Sequence, residues 1–146
     1  MIEEKTAKRI VIINGPNLNL LGRREPGVYG SATMDDCLAD LRATFPDVVF
    51  ELRQSNVEGE LVNFIQEAGF SADGIILNAA AYTHTSIAIH DAIKAIETPV
   101  VEVHISNVYS REDYRHTSLI TSACVGAVIG FGLKSYRLAA QALLER

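Results

Sequence analysis

Residues that can move protons or bind a small anion are concentrated in three segments of this 146-residue chain. In chain order they are Arg23, Arg24 and Tyr29; Asn78 and His84; and Glu102, His104, Arg111 and Arg115. The arginines of the first and last segments lie in short stretches that lack a helical pattern. Because the protein is acidic, with a net charge of −5, arginines gathered in two loops indicate a small anionic ligand.

Glu102 and His104 are the clearest pair with a chemical use. Side chains two apart on a strand point to the same face, so this carboxylate can fix the tautomer of the imidazole and keep it ready to donate a proton. Simpler interpretations stay open at this point. Glu102 can be a solvated strand end, Asn78 can satisfy backbone groups, and Tyr29 can pack on the core beneath a solvated loop.

Apolar, β-branched runs alternate with amphipathic segments of helical length along the whole chain, without a linker or an internal repeat. Strands are predicted over Arg9–Asn14, Val48–Arg53, Gly74–Asn78, Val100–His104 and Cys124–Gly130. Helices are predicted over Thr33–Phe45, Val57–Ala68, Ser86–Ile96 and Ser135–Leu144.

This alternation predicts one α/β domain over residues 1–146, a flavodoxin-like, doubly wound sandwich of three α/β/α layers around a five-stranded parallel sheet. The usual strand order, 2-1-3-4-5, puts the topological switch point between the first and third strands. Ligands of such folds bind beyond the carboxyl ends of the strands. The chemically capable segments follow strands one, three and four, so we expect them to meet at one crevice.

Several classes of protein are disfavoured. The negative net charge argues against nucleic-acid binding, and no apolar stretch is long enough to span a membrane. The first ten residues carry five charges, which does not fit a signal peptide and predicts a cytoplasmic protein. The four histidines lack metal-binding spacing, no GxSxG or phosphate-binding glycine loop occurs, and Cys37 and Cys124 are expected to be free thiols. No metal or cofactor is therefore expected.

Four spaced motifs together resemble the type II 3-dehydroquinate dehydratases. They are INGPNLNLLGxRxPxxYG at 13–30, NxxxxTHTS at 78–86, EVHISN at 102–107 and RxxxRxxS at 111–118. The resemblance covers about Ile10 to Leu144. It implies a carbon–oxygen hydro-lyase that converts 3-dehydroquinate to 3-dehydroshikimate by trans-dehydration, without metal or cofactor, in the shikimate pathway of aromatic amino acid biosynthesis or in quinate degradation. It also implies a homo-oligomer, a dodecamer built as a tetramer of trimers.

The resemblance assigns roles residue by residue. Tyr29 matches the base, Arg24 the lid arginine beside it, Asn17 the residue that positions a water near the enolate, and His104 the general acid with Glu102 beside it. The substrate-binding residues that it implies are Asn78, His84, Asp91, Ile105, Ser106 and Arg115, with Arg111 supporting the lid. Asp91 is the residue implied to reach a neighbouring subunit's site. The chain departs from its relatives at Ala79-Ala80-Ala81, where they more often carry proline or glycine.

The implied base needs help from its neighbours, since only about 0.1% of an ordinary tyrosine is ionised at pH 7. An adjacent guanidinium can lower such a pKa by about 1–3 units, which suits a tyrosine that follows Arg23 and Arg24. Asp91 lies seven residues after His84, a spacing that predicts one shared helix face. Two other hypotheses remain: a non-catalytic flavin- or nucleotide-binding module, and an enzyme acting on another small hydroxy-acid anion.

Overall fold

In a computed structural model of the chain, residues 7–23, 27 and 31–146 are described. Within them, five parallel strands form one sheet in the order β2-β1-β3-β4-β5. The strands are β1 (Lys8–Asn14), β2 (Val48–Gln54), β3 (Gly74–Asn78), β4 (Val100–His104) and β5 (Gly126–Ile129). The predicted flavodoxin-like fold and its strand order are confirmed. In the described part of the chain, no helix is long and apolar enough to cross a bilayer.

Four α-helices cover the two faces of this sheet within the described residues: α1 (Met34–Thr44), α2 (Glu58–Ala68), α3 (Ile87–Ala95) and α4 (Lys134–Leu144). Alternate residues of the central strands point to opposite faces, so Ile10 and Ile12 of β1 pack with α1 and α4, while Val11 and Ile13 pack with α2 and α3. Two apolar cores therefore hold the sheet rigidly between the helical layers.

Local sequence explains where the helices begin. Thr33 caps α1 through a capping box with Asp36, and Ser86 caps α3 by accepting a hydrogen bond from the Ile89 N–H. The predictions that began at Thr33 and Ser86 thus included the capping residues, and the observed α1 and α3 begin one residue later. The last strand is shorter than the predicted Cys124–Gly130, because a 3₁₀ turn precedes it and Gly130 leaves extended geometry with φ 94°.

The loops at the carboxyl edge of the sheet contain short 3₁₀ turns: Leu18–Leu20 after β1, Ala80–His84 after β3, and Val108–Ser110, Asp113–Arg115 and Thr121–Ala123 after β4. His84 therefore ends a turn and does not belong to α3. The prediction that His84 and Asp91 share a helix face is wrong, because Thr85 and the capping residue Ser86 interrupt the helix that this spacing requires.

Candidate active site

One cleft lies at the carboxyl ends of β1, β3 and β4, at the switch point of the sheet. The sequence-predicted residues that line it are Asn17, Asn78, His84, His104, Ile105, Ser106, Arg111 and Arg115. Residues separated by almost one hundred positions are thus brought together by parallel strands that end at one edge. Arg24 and Tyr29, the predicted lid arginine and the predicted base, lie outside the described residues.

The ends of β1 and β3 approach each other closely at the floor of this cleft. The Gly15 N–H donates to the Asn78 carbonyl oxygen at 2.7 Å. A Cβ at Gly15 would lie 2.6 Å from the Ala79 oxygen, so only glycine fits here. The chain then turns through Asn17 in the left-handed region, with φ 69°, and the Asn17 N–H donates to Asn56 Oδ1 at 3.0 Å. This turn presents Asn17 at the rim of the cleft.

His104 is held from behind by a buried carboxylate. Its Nε2–H donates to Glu102 Oε2, and the other carboxylate oxygen, Oε1, accepts a hydrogen bond from the Thr121 hydroxyl. Glu102 is 1% exposed and His104 5%. A buried carboxylate requires partners on both oxygens, and here each oxygen has one. The predicted contact between Glu102 and His104 is therefore present, while Glu102 itself lies behind the imidazole and does not line the cleft.

His84 faces His104 across the cleft, with ring centroids 6.3 Å apart and the planes inclined by 23°. Its Nδ1 lies 2.8 Å from the Thr117 carbonyl oxygen, and because a carbonyl only accepts, Nδ1 carries the proton. Burial is the main cause that lowers the pKa of His84 below its ordinary value, and the nearby His104 and Arg115 add to it. Neutral His84 therefore keeps Nε2 as a hydrogen-bond acceptor.

The arginine side of the cleft is organised by one exposed carboxylate. Glu112 accepts a 2.9 Å hydrogen bond from Arg115 Nε and a second one from the Tyr114 hydroxyl. The Tyr114 bond, followed by the Arg115 bond, lowers the pKa of Glu112 to about 2. Arg111 donates to Ser106 Oγ at 3.4 Å, so it spans from the loop to the end of β4. Both arginines are thus fixed where an anion can meet them.

Behind Asn78 lies a buried polar chain that connects three elements of the fold. Asn78 Nδ2 donates to the Tyr136 hydroxyl at 3.0 Å, and that hydroxyl donates to Asn14 Oδ1 at 2.8 Å. Asn78 Oδ1 accepts from the Ala80 N–H at 3.2 Å. Tyr136 is fully buried on α4, and burial raises its pKa well above the ordinary range. The phenol therefore stays protonated and acts as a neutral donor.

Comparison with known proteins identifies the family of the chain that forms this cleft. The family model described as dehydroquinase class II matches residues 8–144. The chain belongs to this family. A 3-dehydroquinate dehydratase of Exiguobacterium sp. is 56% identical over 138 residues, which cover 94% of each chain.

Two solved structures share the fold of this type II dehydroquinase family member closely. The type II dehydroquinase from Butyrivibrio crossotus has a TM-score of 0.91 and 41% identity, covering 96% of this chain and 99% of its own. The type II dehydroquinase from Propionibacterium acnes has a TM-score of 0.89 and 38% identity, covering 98% and 100%. The resemblance stated from the sequence is confirmed, and so is the prediction of an enzyme of this lyase family. The hypothesis of a non-catalytic flavin- or nucleotide-binding module is not supported.

Among the predicted substrate-binding residues of this dehydroquinase, Asp91 is the one that the described structure places away from the cleft. It is exposed on α3 and does not line the cleft. In the described part of the chain, no three His, Cys, Asp or Glu residues converge in a way that could hold a metal ion.

Sequence reasoning missed two residues that support the site, Thr121 behind Glu102 and Tyr136 behind Asn78. Both belong to segments that a local pattern assigns to a loop or to an ordinary amphipathic helix. An apolar residue at either position would fit the local sequence pattern equally well. The hydroxyl group is therefore the only signal in the sequence that these residues make polar contacts.

Proposed function

We propose that the protein catalyses trans-dehydration of 3-dehydroquinate to 3-dehydroshikimate through an enolate, using side chains alone, without metal or cofactor. Membership of the dehydroquinase class II family supports the reaction. The observation that carries the mechanism is the buried Glu102–His104 pair at the wall of a cleft that also presents Asn78, His84 and Arg115. This is the arrangement that an acid-catalysed elimination on a polyhydroxylated anion requires.

The reaction needs a base for the proton next to the ketone, stabilisation of the enolate, and an acid for the leaving hydroxyl. In our proposal, Tyr29 removes the proton as a phenolate and Arg24 stabilises that charge. Both lie in the motif that opens after β1. Asn17, at the rim of the cleft, positions a water that donates a hydrogen bond to the enolate oxygen. Closure of the 21–30 loop, which contains Arg24 and Tyr29, over the cleft would exclude water and strengthen the arginine–phenolate pairing.

His104 is the proposed general acid. Glu102 occupies its Nε2–H, so Nδ1 is the nitrogen that remains to pass a proton to the departing hydroxyl. Donation of this kind is worth about 10²–10⁴-fold in rate. Glu102 contributes by fixing the ring and by compensating the positive charge of the doubly protonated imidazole.

The remaining cleft residues bind the substrate in our proposal. The substrate carboxylate is held by backbone N–H groups around Ile105 and Ser106, directly after β4. Asn78, His84 and Arg115 offer donors and acceptors for the ring hydroxyls. Arg111, which reaches Ser106, supports the loop above the cleft.

Assembly is part of the proposal. We propose a dodecamer, a tetramer of trimers, in which the exposed Asp91 reaches the site of a neighbouring subunit. Mixing inactive Tyr29→Phe and Asp91→Ala subunits should then restore part of the activity, because some sites would combine an intact Tyr29 with an intact Asp91. Absence of any rescue would contradict a shared site.

The reaction fits a cytoplasmic enzyme of the shikimate pathway, where it leads to aromatic amino acids, and the same step serves quinate degradation. The two roles are distinguished by the growth of a strain that lacks this step and expresses the protein. Growth on minimal medium without aromatic amino acids indicates the biosynthetic role, and growth that requires quinate indicates the degradative one.

The direct test follows the ultraviolet absorbance of the conjugated enone formed from 3-dehydroquinate, with a chelator present and after borohydride treatment. We expect turnover that neither reagent reduces. Tyr29→Phe should abolish kcat while the protein still binds substrate. Tyr109→Phe is the matched control, because Tyr109 is exposed and does not line the cleft. Retained turnover in Tyr29→Phe would contradict its role as the base.

A further inference from the structure

Tyr136 has an unusual position for a residue on the buried face of a covering helix. It packs in the apolar core formed by α1, α4 and the sheet, and it is fully buried. Its hydroxyl nevertheless contacts two polar side chains, Asn14 at the end of β1 and Asn78 at the end of β3. A buried hydroxyl is costly unless it is hydrogen-bonded, so its place in the core indicates a task that phenylalanine cannot perform.

The hydrogen bonds in this chain run in one direction. Asn78 Oδ1 accepts from the Ala80 N–H, which identifies the other amide atom as Nδ2, and Nδ2 donates to the Tyr136 oxygen. The Tyr136 proton is therefore directed to Asn14 Oδ1. Backbone and phenol together leave the Asn78 amide a single orientation, with one N–H and one oxygen lone pair uncommitted by these bonds.

Asn14 depends on the same hydroxyl. It is 1% exposed, and its Nδ2 has no hydrogen-bond partner among the residues that the structure describes. The bond from Tyr136 thus supplies the only side-chain hydrogen bond found for Asn14 in the described structure. Loss of the phenol would leave two neighbouring buried amides short of partners, and such amides rotate or shift to recover them.

We propose that Tyr136 is a positioning residue for substrate binding, which holds the Asn78 amide in the orientation that the cleft requires. This inference rests on the proposed function of the cleft, in which Asn78 binds a ring hydroxyl of the substrate. Tyr136 itself does not line the cleft, so it acts through Asn78.

The test compares Tyr136→Phe, Asn78→Ala and the double variant in steady-state kinetics. We expect Tyr136→Phe to raise KM roughly tenfold with kcat changed by less than about threefold, since a misplaced amide removes binding that ground state and transition state share. In the Asn78→Ala background, Tyr136→Phe should change KM hardly further, because residues in one network are not additive. The proposal would be overturned if the rise of KM in the double variant equalled the product of the rises in the two single variants. An unchanged KM in either single variant would overturn it as well.

Thr98→Val is the matched control for the general cost of losing a buried hydroxyl. Thr98 Oγ1 lies within hydrogen-bond distance of three carbonyl oxygens at the opposite end of the sheet, the nearest that of Gly69 at 2.8 Å and the others those of Ala68 and Ala72. It should lower the stability of the fold and leave KM unchanged. If Thr98→Val raised KM as much as Tyr136→Phe does, the effect of Tyr136 would be merely structural and the proposal would fail.

A crystal structure of Tyr136→Phe gives a readout that does not depend on turnover. We expect the Asn78 amide to have left its hydrogen bond with the Ala80 N–H, and an unchanged amide would contradict the inference. Wild-type protein without dehydratase activity would overturn the proposed function instead, so the two failures are distinguishable.

Discussion

Glu102 accepts a hydrogen bond from His104 Nε2 at the buried end of β4, and nearly no surface of either residue is exposed. A carboxylate so enclosed is stable only because His104 and Thr121 each satisfy one of its oxygens. The imidazole is thereby fixed in tautomer and orientation toward the cleft.

Replacing Glu102 by glutamine tests the role of this charge. Glu102→Gln keeps the shape of the side chain and removes the negative charge that compensates a protonated imidazole. We expect kcat to fall on the order of 10²-fold, the lower part of what a positioned general acid contributes. Glu60→Gln, an exposed change on α2, is the control. A kcat equal to that of the control would show that the carboxylate is not needed for catalysis.

Thr121 should be needed for both stability and activity. Thr121→Val removes the donor to Glu102 Oε1, and leaving a buried carboxylate oxygen unpaired should lower the free energy of unfolding by about 1–3 kcal/mol. Thr121→Ser keeps the hydroxyl and should retain most of the stability and of kcat. Urea denaturation and steady-state kinetics measure both effects. If serine and valine variants were equally impaired, packing of the methyl group and not the hydrogen bond would be responsible.

Ala80 adopts the left-handed region with φ 53°, which costs a residue with a Cβ about 1–2 kcal/mol. Ala80→Gly removes this cost, but the greater freedom of glycine in the unfolded chain lowers stability by about 0.4–1 kcal/mol. We therefore expect the variant to be as stable as the wild type or up to about 1.6 kcal/mol more stable. Ala81→Gly, in the same turn but without a positive φ, should destabilise by about 0.5–1 kcal/mol. Chemical denaturation measures the free energy of unfolding of the two glycine variants. Equal destabilisation by Ala80→Gly and Ala81→Gly would contradict a strained backbone at Ala80.

His84 should make stability depend on pH in a defined direction. Its pKa is lowered in the folded protein from 6.5, chiefly by burial, so the unfolded chain binds the proton more readily. The contribution of neutral His84 is therefore fully present above about pH 6.5 and is lost as the pH falls through the lowered pKa.

His84→Asn keeps a donor for the Thr117 carbonyl and does not titrate. Its free energy of unfolding should fall less between about pH 8 and pH 5 than that of the wild type. His90→Asn is the matched control, because His90 donates from Nδ1 to the Leu119 carbonyl at 2.8 Å and does not line the cleft. If the free energy of unfolding of His84→Asn depended on pH as that of the wild type does, protonation of His84 would not be the cause of the loss of stability.

The sequence determined the elements and most of the site, because both are encoded locally. Unbroken apolar runs such as Ile10–Ile13 predict strands buried on two faces, and their alternation with amphipathic helices predicts a parallel sheet covered on both sides. The strand order was expected as the usual one for a flavodoxin-like fold. Parallel strands end at one edge, so the segments after β1, β3 and β4 had to meet. For the same reason Asn78, His84 and His104 were correctly expected in one crevice.

The tertiary structure alone decided the contacts that orient these side chains. Thr121 reaches Glu102 across 19 positions, and Tyr136 reaches Asn14 across 122, separations over which no hydrophobic period or turn signal carries information. A helix face inferred from spacing also failed for His84 and Asp91, because capping by Ser86 begins α3 after His84. Local patterns specify which residues stand at the site. Which hydroxyl lies behind which carboxylate or amide depends on how α4 and the loop after β4 pack against the end of the sheet.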